Sequence, residues 1–205
     1  MDWIVAIPLG LGAYLLGSVP SAYILVYLAR GIDIRQVGTG NVGALNAFQQ
    51  VGVLGGLLVL LADAGKGALA FLAPQWAGAP EWTVFLTAPL VVAGHNWPVF
   101  LGFRGGKGAA AIFGISLAFV PLITLIALGP AVLVMALVRN VVLGAAFGFI
   151  LLNLLLLATR PSTGQLALCA ALTLAVTVTY VVSIREHVIG SIKARRWRQL
   201  FTGLA

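Results

Sequence analysis

The sequence predicts an all-α, polytopic membrane protein of about seven transmembrane helices, with the N-terminus outside and the C-terminus in the cytoplasm. Composition, uninterrupted apolar length and the placement of basic residues carry that prediction. Of 205 residues, 61% are hydrophobic and 8% charged, against roughly 25% charged in soluble domains. No charged residue occurs from Trp3 to Ala29, and about 20 apolar residues cross the hydrocarbon core as a helix.

Polar interruptions divide the chain into apolar segments near 3–29, 52–73, 81–94, 108–120, 122–138, 141–158 and 164–184. The first follows acidic Asp2 and precedes Arg30. A cleavable signal peptide has basic residues ahead of its apolar run, so this segment is expected to be retained. The stretch 108–138 is ambiguous, because Pro121 and the pair Gly129-Pro130 interrupt it and each half is short for a bilayer. Charge favours two crossings. The loops bearing Arg30, Arg35, Arg104, Lys107 and Arg139 then share a side with Arg185, Lys193, Arg195, Arg196 and Arg198, leaving Arg160 opposite, as the positive-inside tendency requires. A single crossing would place the basic tail outside.

Residues 1–205 read as one integral membrane domain, without repeats or a separating linker. Within it, 185–205 form a basic, aromatic tail suited to the cytoplasmic interface. Gly10, Gly12, Gly17 and Ser18 in the first segment suit close helix packing. Lys and Arg outnumber Asp and Glu by 12 to 5, which in a membrane chain points to topology and to anionic lipid or phosphate, not to nucleic acid. Cys169 is the single cysteine and makes no intrachain disulfide. The two histidines and five acids are scattered, so neither a metal site nor a cofactor is predicted.

Polar groups are expensive in lipid, which makes those in or beside apolar segments candidates for function. Gly31 to Asn46 forms the first cluster. Its glycines, from Gly38 through Gly40 to Gly43, free the backbone to point successive N–H groups at an anion. Thr39 and Asn41 add donors, or Asn41 instead caps a short helix running to Gln50. In the second cluster, Asp63-Ala64-Gly65-Lys66-Gly67, the spacing puts Asp63 and Lys66 on one helical face. They form either a structural ion pair or part of a site. Gly67 admits a second backbone or a ligand.

The third cluster runs from Gly94 to Gly108. Arg104 and Lys107 flank Gly105-Gly106 ahead of a helix of small residues, which together make an anion site; the alternative is a pair of topogenic charges. It is not a Walker A loop, since Gly-Lys-Gly lacks the hydroxyl that holds magnesium. His95 is either a proton acceptor or a hydrogen-bonding structural residue. Trp97, Phe100 and Phe103 fit the interfacial aromatic belt or a groove for a lipid chain.

Taken in order with Leu16-Gly17-Ser18-Val19-Pro20-Ser21, these clusters resemble the motifs of the bacterial acyl-phosphate-dependent glycerol-3-phosphate acyltransferases, over nearly the whole chain. The resemblance implies a cell-membrane enzyme of phospholipid synthesis, multi-pass, with a cytoplasmic site. Such an enzyme moves a fatty acyl group from acyl phosphate to the 1-hydroxyl of glycerol 3-phosphate, giving lysophosphatidate and phosphate. It implies His95 and Lys107 as catalytic and Thr39, Gly40, Asn41, Asn46, Lys66, Arg104, Gly105 and Gly106 as substrate-binding, with Asp63, Arg185 and His187 as further candidates. No nucleophile elbow is apparent, so direct attack of the hydroxyl on the mixed anhydride is expected.

The family usually carries Ser, Thr and Arg where this chain has Thr39, Leu45 and Gln49, and His-Arg-x-Asn where it reads Ile184-Arg185-Glu186-His187. A carboxamide at Gln49 cannot replace a bidentate guanidinium. Two other classes therefore stay open: a divergent membrane protein that binds a phosphorylated lipid or metabolite without turnover, and a small transporter using Asp63 and Lys66.

Overall fold

The computed structural model describes residues 2–193, with side chains as far as Val182. Eight helices form in that range: α1 (Asp2–Ser18), α2 (Ser21–Arg30), α3 (Ala44–Trp76), α4 (Val84–Asn96), α5 (Ala109–Phe119), α6 (Pro121–Val138), α7 (Val141–Ala158) and α8 (Thr163–Lys193). The described residues contain no strand. Among the described residues, six stretches are long and apolar enough to cross a membrane: α1 with α2, then α3, the stretch 81–101 containing α4, α6, α7 and α8 as far as Val182. The seventh apolar segment is α5, whose 11 residues rise about 16 Å, short of the ~30 Å hydrocarbon core.

Proline explains the interruptions unevenly. Pro20, without an N–H, separates α1 from α2, and Pro121 starts α6 afresh. Pro130 lies inside α6 without ending it, although the sequence reads Gly129-Pro130 as a break. In lipid a broken helix exposes more unsatisfied backbone than one missing hydrogen bond does, so the helix persists. α3 is kinked at Val51 and Gly52, where Gly52 adopts φ 79, ψ −175, a region open essentially to glycine alone. The kink divides a short helix starting at Ala44 from the long apolar one, and Arg30 Nη1 donates to the Gln50 carbonyl beside it at 3.0 Å.

The chain forms two compact units, one running to Pro121 and the other starting at Leu122. In the first, α1 packs on α4 and α3 on α5. Glycine sets both crossings. A Cβ on Gly17 would lie 2.1 Å from the Val91 carbonyl oxygen and one on Gly94 2.1 Å from that of Tyr14; Gly67 and Gly114 relate in the same way to Ala111 and Ala64. Gly67 therefore admits another backbone, one of the two uses its sequence context allowed. Ala22, Val26, Ile34, Val42, Ala47, Val59 and Leu101 form a buried apolar cluster. It floors the loops between α2 and α3 and between α4 and α5.

In the second unit α7 packs on α8. Asn140 caps α7 by accepting from Leu143 N at 3.0 Å. Asn153 Nδ2 donates to Thr173 Oγ1 at 2.9 Å, an interhelical bond of a kind worth roughly 0.6 kcal/mol in membranes. Arg185 and His187 fall in the last turns of α8, and their side chains, like the basic tail beyond Lys193, lie outside the described residues.

Candidate active site

The break at Pro20 creates the first site feature. Ser21 N turns to Val19 O at 3.1 Å, leaving the Gly17 carbonyl without its ordinary helical donor. Lys66, 5% exposed, supplies one: its Nζ donates to Gly17 O at 3.0 Å and Val19 O at 3.2 Å and pairs with Asp63 Oδ1 at 2.8 Å. An ammonium has three protons, and these three acceptors engage them. Lys66, expected at substrate, is thus committed to the α1–α2 break.

Asp63 is the hub of this buried group. Its Oδ1 also accepts from Ser21 Oγ at 3.1 Å, and His95 Nδ1 lies 3.6 Å away, beyond hydrogen-bond length. That nitrogen is buried with no hydrogen-bond partner. Asp63, Lys66, Ser21 and His95 line a small, partly open pocket with Gly17, Val42 and Gly105. Ser21 stands in the first motif of the sequence but was given no role in the site; the available signal was a serine immediately after a proline that interrupts an apolar run.

The Gly31–Gly43 loop is built around Asn46. Its side chain is fully buried, and Nδ2 donates to the carbonyls of Ile34, Val37 and Asn41 at 3.0, 3.0 and 3.1 Å. The amide protons of Asn46 are therefore occupied in shaping the loop. Gly38 has φ 58 and Gly40 φ 70, and a Cβ on Gly38 would come within 2.2 Å of Asn46 Oδ1 and 3.1 Å of Gln49 Oε1. Gly40 N closes the turn on Val37 O at 3.0 Å. Thr39 is exposed, and its hydroxyl accepts from Asn41 N at 3.4 Å. The N-cap of α3 is Gly43, with no side-chain hydrogen bond, so Asn41 is not the cap.

The loop between α4 and α5 folds back on α4. Gly105 N donates to Asn96 O at 3.2 Å and Gly106 N to His95 O at 3.0 Å. These two amides, expected at phosphate, close the α4 terminus instead. The glycines allow contact: a Cβ on Gly106 would lie 2.2 Å from His95 Nε2 and 2.6 Å from Val42 O. Gly106 therefore sits where the α4–α5 loop, the histidine and the α2–α3 loop meet. On either side of this pair, Arg104 is exposed and Lys107 partly buried, with its pKa lowered by burial.

A basic residue read as topogenic also belongs here. Arg35 engages both oxygens of Asp33, at 3.0 Å from Nε to Oδ1 and 2.6 Å from Nη2 to Oδ2, and Nη1 donates to Leu101 O at 3.1 Å. The pairing holds the Asp33 carboxyl below its ordinary value of 3.8.

Residues 7–190 match the family described as glycerol-3-phosphate acyltransferase. Glycerol-3-phosphate acyltransferase 4 of Dehalococcoides mccartyi (strain CBDB1) is 45% identical over 129 residues, covering 63% of this chain. That match spans 54% of the relative's length, little more than half. The glycerol-3-phosphate acyltransferase of Synechococcus sp. (strain CC9902) is 37% identical over 178 residues, covering 87% of this chain and 89% of its own. The crystal structure of PlsY, an integral membrane glycerol 3-phosphate acyltransferase, in its glycerol 3-phosphate form superposes with a TM-score of 0.82 at 30% identity, covering 91% of this chain and 93% of PlsY. Its lysophosphatidic acid form gives a TM-score of 0.79. With a family match across both compact units and a fold shared with a solved member, the chain belongs to the glycerol-3-phosphate acyltransferase family, as an integral membrane protein.

Proposed function

We propose that this protein transfers a fatty acyl group from acyl phosphate to the 1-hydroxyl of glycerol 3-phosphate, releasing lysophosphatidate and phosphate. The observation that carries the reading is the junction at Gly106, where His95, the lip of the Asp63 pocket and two glycine-rich loops come together. The similarity to PlsY in its glycerol 3-phosphate and lysophosphatidic acid forms supports the same acceptor and product.

In this reading the acceptor hydroxyl enters beside His95. Arg104, Lys107 and the Gly38–Gly43 backbone, with Thr39 and Asn41, bind phosphate groups. The hydroxyl oxygen attacks the acyl carbon, a new ester bond forms, and the carbon–oxygen bond to phosphate breaks with its electron pair leaving on phosphate. The proton passes either to His95 or to a phosphate oxygen of a substrate. Positioning and charge stabilisation supply the rate, since phosphate is already a good leaving group. Asp63, Lys66 and Asn46 act by holding the frame. Arg185 and His187, whose side chains lie outside the described residues, are further candidates.

The distribution of basic loops supports a site at the cytoplasmic face of the bacterial inner membrane, with the N-terminus outside. Residues 1–205 are read as one integral membrane acyltransferase domain. Lys66 engages three internal acceptors, which argues against a charge free to accompany a transported solute. The test is donor competition: purified protein given palmitoyl phosphate or palmitoyl-CoA with labelled glycerol 3-phosphate. Product from the phosphate alone supports the reading, and product only from the thioester overturns the donor.

A further inference from the structure

We infer that Arg35 is a positioning residue that clamps the α2–α3 loop to the α4–α5 loop, fixing the distance between the two phosphate-binding segments. The inference rests on the function proposed above for what the loops do, but its structural part stands on the guanidinium geometry alone. Four contacts define it. Nε reaches Asp33 Oδ1 at 3.0 Å and Oδ2 at 3.1 Å, and Nη2 reaches Oδ2 at 2.6 Å. Nη1 points elsewhere, to the Leu101 carbonyl 66 residues away, at 3.1 Å. The Arg35 Cζ also lies 5.5 Å from the centre of the Tyr23 ring on α2.

Each end of the clamp is anchored. Asp33 caps the Ile34–Gln36 turn by accepting from Arg35 N at 2.9 Å, and Ile34 is fully buried in the apolar cluster that also holds Val42 and Leu101. Leu101 ends the Val99–Leu101 turn. Beyond it, Gly102 and Phe103 both take left-handed backbone, with φ 61 and 62, before the chain reaches Arg104. A non-glycine residue there is strained and persists only where its surroundings over-determine it. Phe103 N donates to Pro98 O at 2.9 Å, and Arg35 holds the carbonyl two residues before Phe103. The direction in which Arg104 and Lys107 leave this turn is therefore tied to Arg35.

A topogenic arginine needs only its charge, and lysine supplies that equally. A clamp needs the planar fork, whose spread Nε and Nη2 hold the Asp33 carboxylate side-on while Nη1 reaches Leu101 O; an ammonium donates from one atom and cannot reproduce that bidentate geometry. Arg35→Lys separates these roles in the full-length protein, in detergent or lipid. The clamp predicts unaltered membrane insertion and amide hydrogen exchange in residues 98–106 faster by about tenfold or more, as expected when a charged hydrogen bond is lost. It also predicts a KM for glycerol 3-phosphate raised by about tenfold or more, as small misplacements at a site produce.

Arg35→Ala serves as the full-loss reference, and Asp33→Asn, which retains the bond to Leu101 O, should give a smaller change. Faster exchange confined to residues 33–37, or exchange in Arg35→Lys equal to the parent, would overturn the clamp. If the parent lacks acyltransferase activity, the proposed function fails, while the exchange of residues 98–106 still decides the role of Arg35.

Discussion

Gly106 and His95 are in contact so close that a Cβ on the glycine would come within 2.2 Å of Nε2. The same Cβ would meet the Val42 carbonyl at 2.6 Å, and neither backbone nor a packed ring can yield cheaply. Gly106→Ala should therefore force the loops apart. A displacement near 1 Å costs on the order of 100-fold in rate at a preorganised site, and a loss of that size in kcat/KM is the expected result. Gly65→Ala is the control, since nothing lies within 4 Å of its Cβ, and full activity is expected of it.

Lys66 and Asp63 form the buried pair behind that junction, at 2.8 Å. Lys66→Met strands the carboxylate charge and the Gly17 carbonyl, and breaking such a pair costs roughly 3–5 kcal/mol. A large fall in the thermal midpoint in detergent is expected. Adding Asp63→Asn removes the stranded charge, so the double variant should recover part of that loss. Additive losses would show that the pair is not coupled.

Asn46 satisfies three carbonyls of the α2–α3 loop. Asn46→Ala removes these three bonds; Gly40 N and Val37 N still reach the Val37 and Ile34 carbonyls, but the Asn41 carbonyl loses its donor, at about 1–3 kcal/mol, and the variant should raise the KM for phosphorylated substrate while leaving the membrane helices intact. Circular dichroism and kinetics on one preparation check both halves of the expectation.

Lys107 is held below its ordinary 10.5 by burial, which disfavours the ammonium. Between the lowered value and 10.5 the unfolded chain keeps the proton that the folded chain has lost, so stability rises with pH across that window. In the role proposed for Lys107, phosphate binding needs the ammonium and should fall across the same window. Activity should thus decline at a pH where an exposed lysine is still charged, and Lys107→Arg should move that decline upward. Lys107→Ala should reduce turnover far more than protein abundance.

The helical segments were legible because lipid demands long apolar runs, and seven such runs became α-helix. Pro130 was misread because proline rules learned from water overstate its power to end a helix in lipid. The polar clusters were equally visible, since Asp63, Lys66 and His95 are conspicuous among apolar neighbours. Their connections were not. Nothing local to Lys66 announces that it serves carbonyls 49 and 47 residues earlier, or that Gly105 and Gly106 spend their amides on α4. Arg35 resembled any loop arginine because its partner, Leu101 O, is a backbone atom without a sequence signature.

The most direct measurement follows lysophosphatidate and inorganic phosphate together, with purified protein in lipid supplied with palmitoyl phosphate and glycerol 3-phosphate. Equal amounts of the two products, both requiring glycerol 3-phosphate, are predicted. Phosphate release without lysophosphatidate, or neither product from folded protein, would contradict acyl transfer at this site.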